Sequence, residues 1–301
     1  MSIIDLIPID VRARLKALRL QARRISGAQG IGQHQSRSRG AGLEFAQYRA
    51  YEPGDEPRQI DWKLYARSDK FFVREAERDS PLIVWCLIDA TASMGQSDAA
   101  NPAWSRLQAA KALTACVIEL ALKQGDLFGL IAVNDVGLRV INAGSGTRHR
   151  DLCLLELHKL KAEGAWPNET QCRPIWERIG ANTLVLLLSD DYDDACVALA
   201  ERLAAARREV LSVQILTAEE RDFPFQGGHR FRDAETDTEL LTDAAGSRSG
   251  FIEQFSIAKK TLSARFAASG INHVEYVLDQ PLDAPLRKFF LSRNSQHQES
   301  V

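Results

Sequence analysis

Residues Leu82-Ile83-Val84-Trp85-Cys86-Leu87-Ile88 form an unbroken apolar run that stops abruptly at Asp89-Ala90-Thr91-Ala92-Ser93-Met94-Gly95. A strand with one wet face alternates apolar and polar residues. This run does not, so it is expected to be covered on both faces, as in the central parallel sheet of an α/β domain. Ligands collect at the carboxyl ends of such strands. Asp89, Thr91 and Ser93 stand just past that end at alternate positions, so one turn can aim a carboxylate and two hydroxyls at a common point. All three offer hard oxygen atoms, suited to Mg²⁺, Mn²⁺ or Ca²⁺ and not to zinc. A plainer reading competes on this stretch alone, in which the Thr and Ser cap the next helix.

Similar runs recur downstream. Apolar strands are expected over 126–133, 183–189, 210–216 and 271–278. Leu107, Ala110, Leu113, Val117 and Leu120 fall at helical spacing and predict a helix over 102–123, with Gly125 as its stop signal. Further helices are expected over 147–161, in a short stretch ending at 180, and over 195–208, 251–269 and 281–293. Residues 136–141 follow the Asn134-Asp135 turn too closely for a crossover, so that strand is expected to be antiparallel and at the sheet edge. Residues near 229–242 alternate and read as an inserted hairpin. The alternation predicts a doubly wound, mostly parallel α/β sheet over 81–301.

The strand over 183–189 also ends in acid, at Asp190, Asp191, Asp193 and Asp194. Adjacent strands lie ~4.8 Å apart, so Asp89 and Asp190 can share one sheet edge. A loop hydroxyl from Thr170 can reach the same edge, with Thr147 as its competitor and Asp191 as a competitor of Asp190. Two carboxylates balance one divalent cation and leave it able to take one more anionic ligand. Asp193 and Asp194 read more simply as an acidic helix start that suits the macrodipole.

Composition narrows the function classes. A net charge of -2, with no basic stretch interleaved with aromatic residues, argues against nucleic acid. Hydrophobic content of 45% and charged content of 26% are those of ordinary soluble proteins. The five cysteines (Cys86, Cys116, Cys153, Cys172 and Cys196) are odd in number and lack zinc spacing, as expected of reduced core residues in a cytoplasmic protein. No apolar run approaches the ~20 residues that span a bilayer.

Ahead of the main domain lie two regions. In 1–41, a basic amphipathic helix is expected over 9–25, with Val11, Leu15, Leu18, Ala22 and Ile25 on one face, followed by a Gly/Ser/Arg-rich connector. Such a helix can touch a membrane or an acidic partner, but packing on its own domain with a solvated basic face is the commoner outcome. In 42–80, strand-like pieces flank the turn signal Pro53-Gly54-Asp55. The dense set Arg49, Tyr51, Asp55, Arg58, Asp61, Trp62 and Arg67 reads either as an internal ion-pair network or as a docking surface, since Trp, Tyr and Arg anchor interfaces.

Asp89-Ala90-Thr91-Ala92-Ser93, with Thr170 and Asp190, resembles the metal-ion-dependent adhesion site of von Willebrand factor type A domains, with Thr91 where serine is usual. Arg49-x-Tyr51, Gly54-Asp55, Arg58-x-Ile60-Asp61-Trp62, Ala66-Arg67, Val73-Arg74-Glu75 and the insert Phe231-x-Asp233-x-Glu235 are similar to the signature of domain-of-unknown-function family number 58. The resemblance implies a von Willebrand factor A-like fold and a Mg²⁺ (or Mn²⁺/Ca²⁺) site. It also implies an acidic protein ligand and pairing with a MoxR-type AAA+ ATPase in chaperone-like assembly or maturation. The expected function is a non-enzymatic interaction module. The alternative is a metal-dependent hydrolase or phosphatase using the acidic strand ends, against which stands the lack of an Asp-x-Asp pair, a Ser-His-Asp order or a phosphate loop.

Overall fold

The computed structural model describes residues 6–20, 45–52, 57–76 and 81–290. Two compact units arise, one from residues 1–23 with 82–301 and the other from 24–81.

In the larger unit, β3 (Ile83–Asp89) pairs in parallel with β4 (Leu127–Val133) on one side and β6 (Leu184–Ser189) on the other. The six-stranded sheet continues outward through β7 (Glu209–Leu216) to β10 (Asn272–Val277), and on the opposite flank ends at β5 (Arg139–Gly144). All pairings are parallel except β4 with β5, the edge strand. The apolar runs therefore form a central parallel sheet with one antiparallel edge, as expected; β5 starts three residues later than predicted.

The side chains of β3 alternate between two cores, which is why its sequence does not alternate in polarity. Val84, Cys86 and Ile88 join a cluster completed by α3 (Arg106–Gln124) and α4 (Thr147–Lys159). Trp85 and Leu87 join another, completed by α5 (Glu169–Arg178) and α6 (Asp194–Ala205). Gly125, in the left-handed region at φ 76°, stops α3. After β7 come α7 (Ala218–Asp222), a hairpin of β8 (Gly228–Arg232) and β9 (Glu239–Asp243), and α8 (Ala244–Ala268). The hairpin is where alternation put it, whereas α8 begins at Ala244 instead of 251. All five cysteines are free and buried. No helix among the described residues is long and apolar enough to cross a membrane.

The amino-terminal helix is shorter than its periodicity suggested: α1 covers Ile9–Leu15, and residues 21–25 lie outside the described residues. Val11, Leu15, Leu18 and Leu20 are buried in the same core as α3. Leu20 stays fixed without helical bonds, because its N–H donates to Gln124 Oε1 (2.7 Å) and its carbonyl accepts from Gln124 Nε2 (3.1 Å). Arg14 on the basic face donates to the buried Asp283 (2.8 Å). The segment thus belongs to the main unit and is not a separate region. The chain is helical again over 284–290.

Among the described residues, the smaller unit contains two strands, β1 (Phe45–Ala50) and β2 (Phe72–Ala76), paired antiparallel. Between them lies α2 (Trp62–Ser68), where strand-like pieces were expected. Asp61 starts this helix: it is buried and accepts from the N–H groups of Lys63 (2.9 Å) and Leu64 (3.1 Å).

His273 of β10 lies 5.2 Å from the Phe266 ring, and neither of its ring nitrogens has a hydrogen-bond partner among the described residues. Burial lowers its pKa to about 4, against a pull upward from Glu275. Between that value and the unfolded value of ~6.5, the unfolded chain binds the extra proton, so stability falls as pH drops through this window. Partial exposure limits the loss to on the order of 2 kcal/mol. Urea midpoints at pH 7.5 and 4.5 are expected to diverge less in His273→Gln than in the wild type; equal divergence refutes this assignment.

Candidate metal centre

Asp89 is the last residue of β3 and is buried. Its Oδ1 accepts from the Thr91 N–H (2.9 Å) and the Thr91 hydroxyl (2.7 Å), which folds the chain back at the strand end. Its Oδ2 accepts from the Ser189 hydroxyl of β6 (2.7 Å). Thr91 Oγ1 lies 3.0 Å from Ser93 Oγ. Thr91 stands at the N-cap of a 3-10 turn, Ala92–Gly95, yet its side chain makes no capping bond, and Ser105 caps α3. The hydroxyls are therefore not spent on helix capping.

Asp190 follows β6 directly and faces the same edge. Its Oδ2 accepts from Arg106 Nη1 (2.7 Å) and its Oδ1 from the Tyr192 N–H (3.3 Å). Arg106 Nη1 also reaches the Ser93 carbonyl (3.3 Å), so one guanidinium ties both strand ends together. Asp191 turns elsewhere: it sits at φ 57° and accepts from Ser212 of β7 (3.0 Å). Burial raises its pKa far above the usual carboxylate range, which favours the neutral acid. Asp190, not Asp191, thus belongs to the cluster.

The two loop threonines are placed differently from expectation. Thr147 opens α4 just after Gly144, which pairs with Phe128 near the start of β4, so it lies at the opposite edge of the sheet. Thr170 is exposed in the first turn of α5, and no hydrogen bond among the described residues links it to Asp89, Thr91, Ser93 or Asp190. What the loop brings to the edge is backbone. The Gly164 carbonyl accepts from the Ala92 N–H (2.8 Å), and the Glu163 N–H donates to the Ala90 carbonyl (3.0 Å). Gly164 sits at φ 70°, and a Cβ there would stand 1.9 Å from Asp135 Oδ1. Trp166 of the same loop is buried, whereas Thr170 lies at the surface.

Sequence reasoning missed the charged half of the cluster. Arg106 is wholly buried; its Nη2 donates to Glu220 Oε1, and its guanidinium lies 5.4 Å from the Tyr192 ring centre. Glu220 is locked by a capping box, its Oε2 accepting from the Thr217 N–H (2.9 Å) and hydroxyl (3.0 Å). The Tyr192 hydroxyl also donates to Glu220 Oε1 (2.9 Å). Burial pushes the Glu220 pKa up, but the Arg106 charge together with hydrogen bonds from Arg106, Thr217 and Tyr192 outweighs it and holds the group below its ordinary value. The signals were present: a cation in the first turn of a helix, where the dipole disfavours it, and Thr217-x-x-Glu220.

These donors fit a hard divalent cation. Two ligands at right angles on Mg²⁺, each ~2.1 Å from it, stand ~3.0 Å apart, which is the Thr91–Ser93 hydroxyl spacing. The Thr91 proton goes to Asp89, so Ser93 donates across the 3.0 Å pair and one lone pair of Thr91 Oγ1 remains for a cation. Arg106 and Glu220 cancel in charge, so Asp89 and Asp190, when both are ionised, present two negative charges. Burial, then Asp190, raises the Asp89 pKa to about 7, the mark of a carboxylate whose charge lacks compensation. Among the described residues no three side chains of His, Cys, Asp or Glu converge as a metal-binding group; the cluster is two carboxylates with two hydroxyls.

Of the residues singled out in the smaller unit, Tyr51 and Trp62 join Tyr65 and Phe71 in an aromatic cluster, with Tyr65 and Phe71 stacked at 4.5 Å. Trp62 is 57% exposed, and Arg58 and Arg67 are exposed. Asp61 is the helix cap. Asp55 and the side chain of Arg49 lie outside the described residues.

A doubly wound sheet whose central strand ends in Asp-x-Thr-x-Ser defines a von Willebrand factor A-like module. The chain belongs to the family described as protein of unknown function DUF58, which matches residues 47–261. It is similar to the uncharacterized protein Rv1480 of Mycobacterium tuberculosis and to the uncharacterized protein Mb1516 of Mycobacterium bovis, each 25% identical over 81% of this chain and 73% of the relative. Among solved structures, BatB from Bacteroides thetaiotaomicron shares 14% identity over 73% of this chain and all of that one, with a TM-score of 0.42. The SpRpn10 VWA domain shares 13% over 69% of this chain and 95% of its own, with a TM-score of 0.39.

Arg106→Met leaves Asp190 and Glu220 without their cation and is expected to lower unfolding free energy by about 3–5 kcal/mol, read from urea titration. Adding Glu220→Gln is expected to restore part of the loss. A cost below ~1 kcal/mol for the single change would show that the buried pair does not hold the strand ends together.

Proposed function

We propose that the chain is a non-enzymatic interaction module that holds Mg²⁺, or Mn²⁺ or Ca²⁺ in its place, at the end of β3 and presents it to an acidic side chain of a partner. The hydroxyls of Thr91 and Ser93 bind the cation, with Asp89 and Asp190 supplying the balancing charge. The observation that carries the reading is the 3.0 Å hydroxyl pair beside two buried carboxylates. Thr170 is left out of the set because of its exposed position on α5. A bound divalent cation polarises and binds anionic oxygen. Hydrolysis would further require a free base or nucleophile, and both oxygens of Asp89 already accept hydrogen bonds, which favours binding over turnover.

Membership of the DUF58 family and the resemblance stated above support a MoxR-type AAA+ ATPase as the partner, in assembly or maturation of other proteins. Trp62, exposed beside Arg58 and Arg67, is the other surface suited to docking.

At 100 times its dissociation constant, Mg²⁺ is expected to stabilise the wild type by ~2.7 kcal/mol in thermal or urea unfolding. Ser93→Ala and Asp190→Asn are expected to lose most of that increment. Capture of a MoxR-type ATPase encoded in the same genome should require Mg²⁺ and fail in EDTA and with Ser93→Ala. Equal stabilisation of all three proteins by Mg²⁺ would remove the site; equal capture with and without Mg²⁺ would move the docking surface elsewhere.

A further inference from the structure

Residues 6–20 lie across α3 as a strap held by side-chain bonds along its length. Arg14 donates to Asp283 (2.8 Å), Lys123 Nζ of α3 donates to the Lys16 carbonyl (3.2 Å), and the Leu20 backbone is bonded to the Gln124 side chain (2.7 and 3.1 Å). The strap does not close flush on the helices beneath it. Between it, α3 and α4 remains a cavity of about 870 Å³, half open to solvent. Protein interiors leave few voids larger than a water molecule, and a cavity of this size falls in the range that takes small molecules.

The floor of the cavity is hydrocarbon. Ile7 and Leu15 from the strap, Leu120 from α3 and Leu154 from α4 line it, and all four are buried. Its rim is charged, with Arg12, Lys16, Lys123 and Arg150 set against Glu119 and Asp151. Arg150 faces both acids, at 3.6 Å from Glu119 and 2.9 Å from Asp151. Lys16 and Lys123 are exposed and have no ion-pair partner among the described residues, and Lys123 gives only one of its three N–H donors to a carbonyl. The chain as a whole carries a charge of -2, so this positive rim is a local feature. An apolar floor draws hydrocarbon out of water. A carboxylate taken down to that floor would lose its hydration unpaired, whereas at the rim it stays wet and meets two ammonium groups.

We propose that this cavity binds a long-chain aliphatic carboxylate, with the chain on the floor and the carboxylate at the rim between Lys16 and Lys123. The site is separate from the cluster at the end of β3. Arg106 opens α3 beside that cluster, whereas Glu119 to Lys123 lie in the last turns of the helix, roughly 20 Å further along its axis. The assignment therefore stands independently of the cation reading above.

Dodecanoate serves as the probe on the full chain, followed by isothermal titration. Octanoate is expected to bind at least tenfold more weakly, because less hydrocarbon leaves water with it. The double change Lys16→Gln with Lys123→Gln is expected to weaken dodecanoate binding about tenfold while leaving dodecanol binding unchanged. Lys260→Gln, which removes an exposed charge from α8, is expected to leave both unchanged. Methyl NMR shifts on adding dodecanoate are expected at Ile7, Leu15, Leu120 and Leu154. A wild type that does not bind dodecanoate, equal affinity for the two chain lengths, or shifts confined to other residues would overturn the proposal. So would sedimentation with phosphatidylglycerol vesicles in the absence of dodecanoate binding, which would make the rim a membrane contact. Concentration-dependent shifts of the same methyls without any ligand would place a second copy of the chain in the groove and overturn it too.

Discussion

Strand β3 is hydrogen-bonded in parallel on both sides along its length, and everything polar in the molecule's site takes its position from that pairing. Ile88 stands opposite Leu188 in β6, so Ser189 and Asp190 emerge beside Asp89. A slip by one residue would exchange every side chain between the two cores, burying Asp190 where Ser189 now sits. The register is therefore held by the apolar residues: Val84, Cys86 and Ile88 fill one core, and Trp85 and Leu87 the other. Burial of hydrocarbon fixes the geometry of groups that would repel one another if left to themselves.

That repulsion is managed by a neighbour the apolar pattern does not announce. Asp89 and Asp190 share an edge with little solvent, and the cost shows in the raised Asp89 pKa. Arg106 relieves part of it, but its own burial requires Glu220, which in turn requires the Thr217 cap and Tyr192. The guanidinium and Glu220 form a neutral pair, so the two aspartates keep their full demand for positive charge. A chain that needed only a stable sheet end could have placed apolar residues here at lower cost.

The sequence made the sheet legible because a strand buried on both faces leaves a run with no alternation, and three such runs stood out, at 82–88, 126–133 and 183–189. The edge strand was legible too, since Asn134-Asp135 leaves no room for a crossover. Asp89, Thr91, Ser93 and Asp190 followed from strand ends alone. Thr170 could not be placed, because a loop's reach depends on where it turns. Here the loop carries a backbone contact at Gly164 and a buried ring at Trp166, neither of which leaves a spacing signal. Arg106 escaped for a related reason: its partners are 84 and 114 residues away. In the smaller unit, Asp61 looked like one member of a charge network and proved to be the cap of a helix. An Asp ahead of Trp-Lys-Leu-Tyr-Ala-Arg reads equally well as either until the backbone is known.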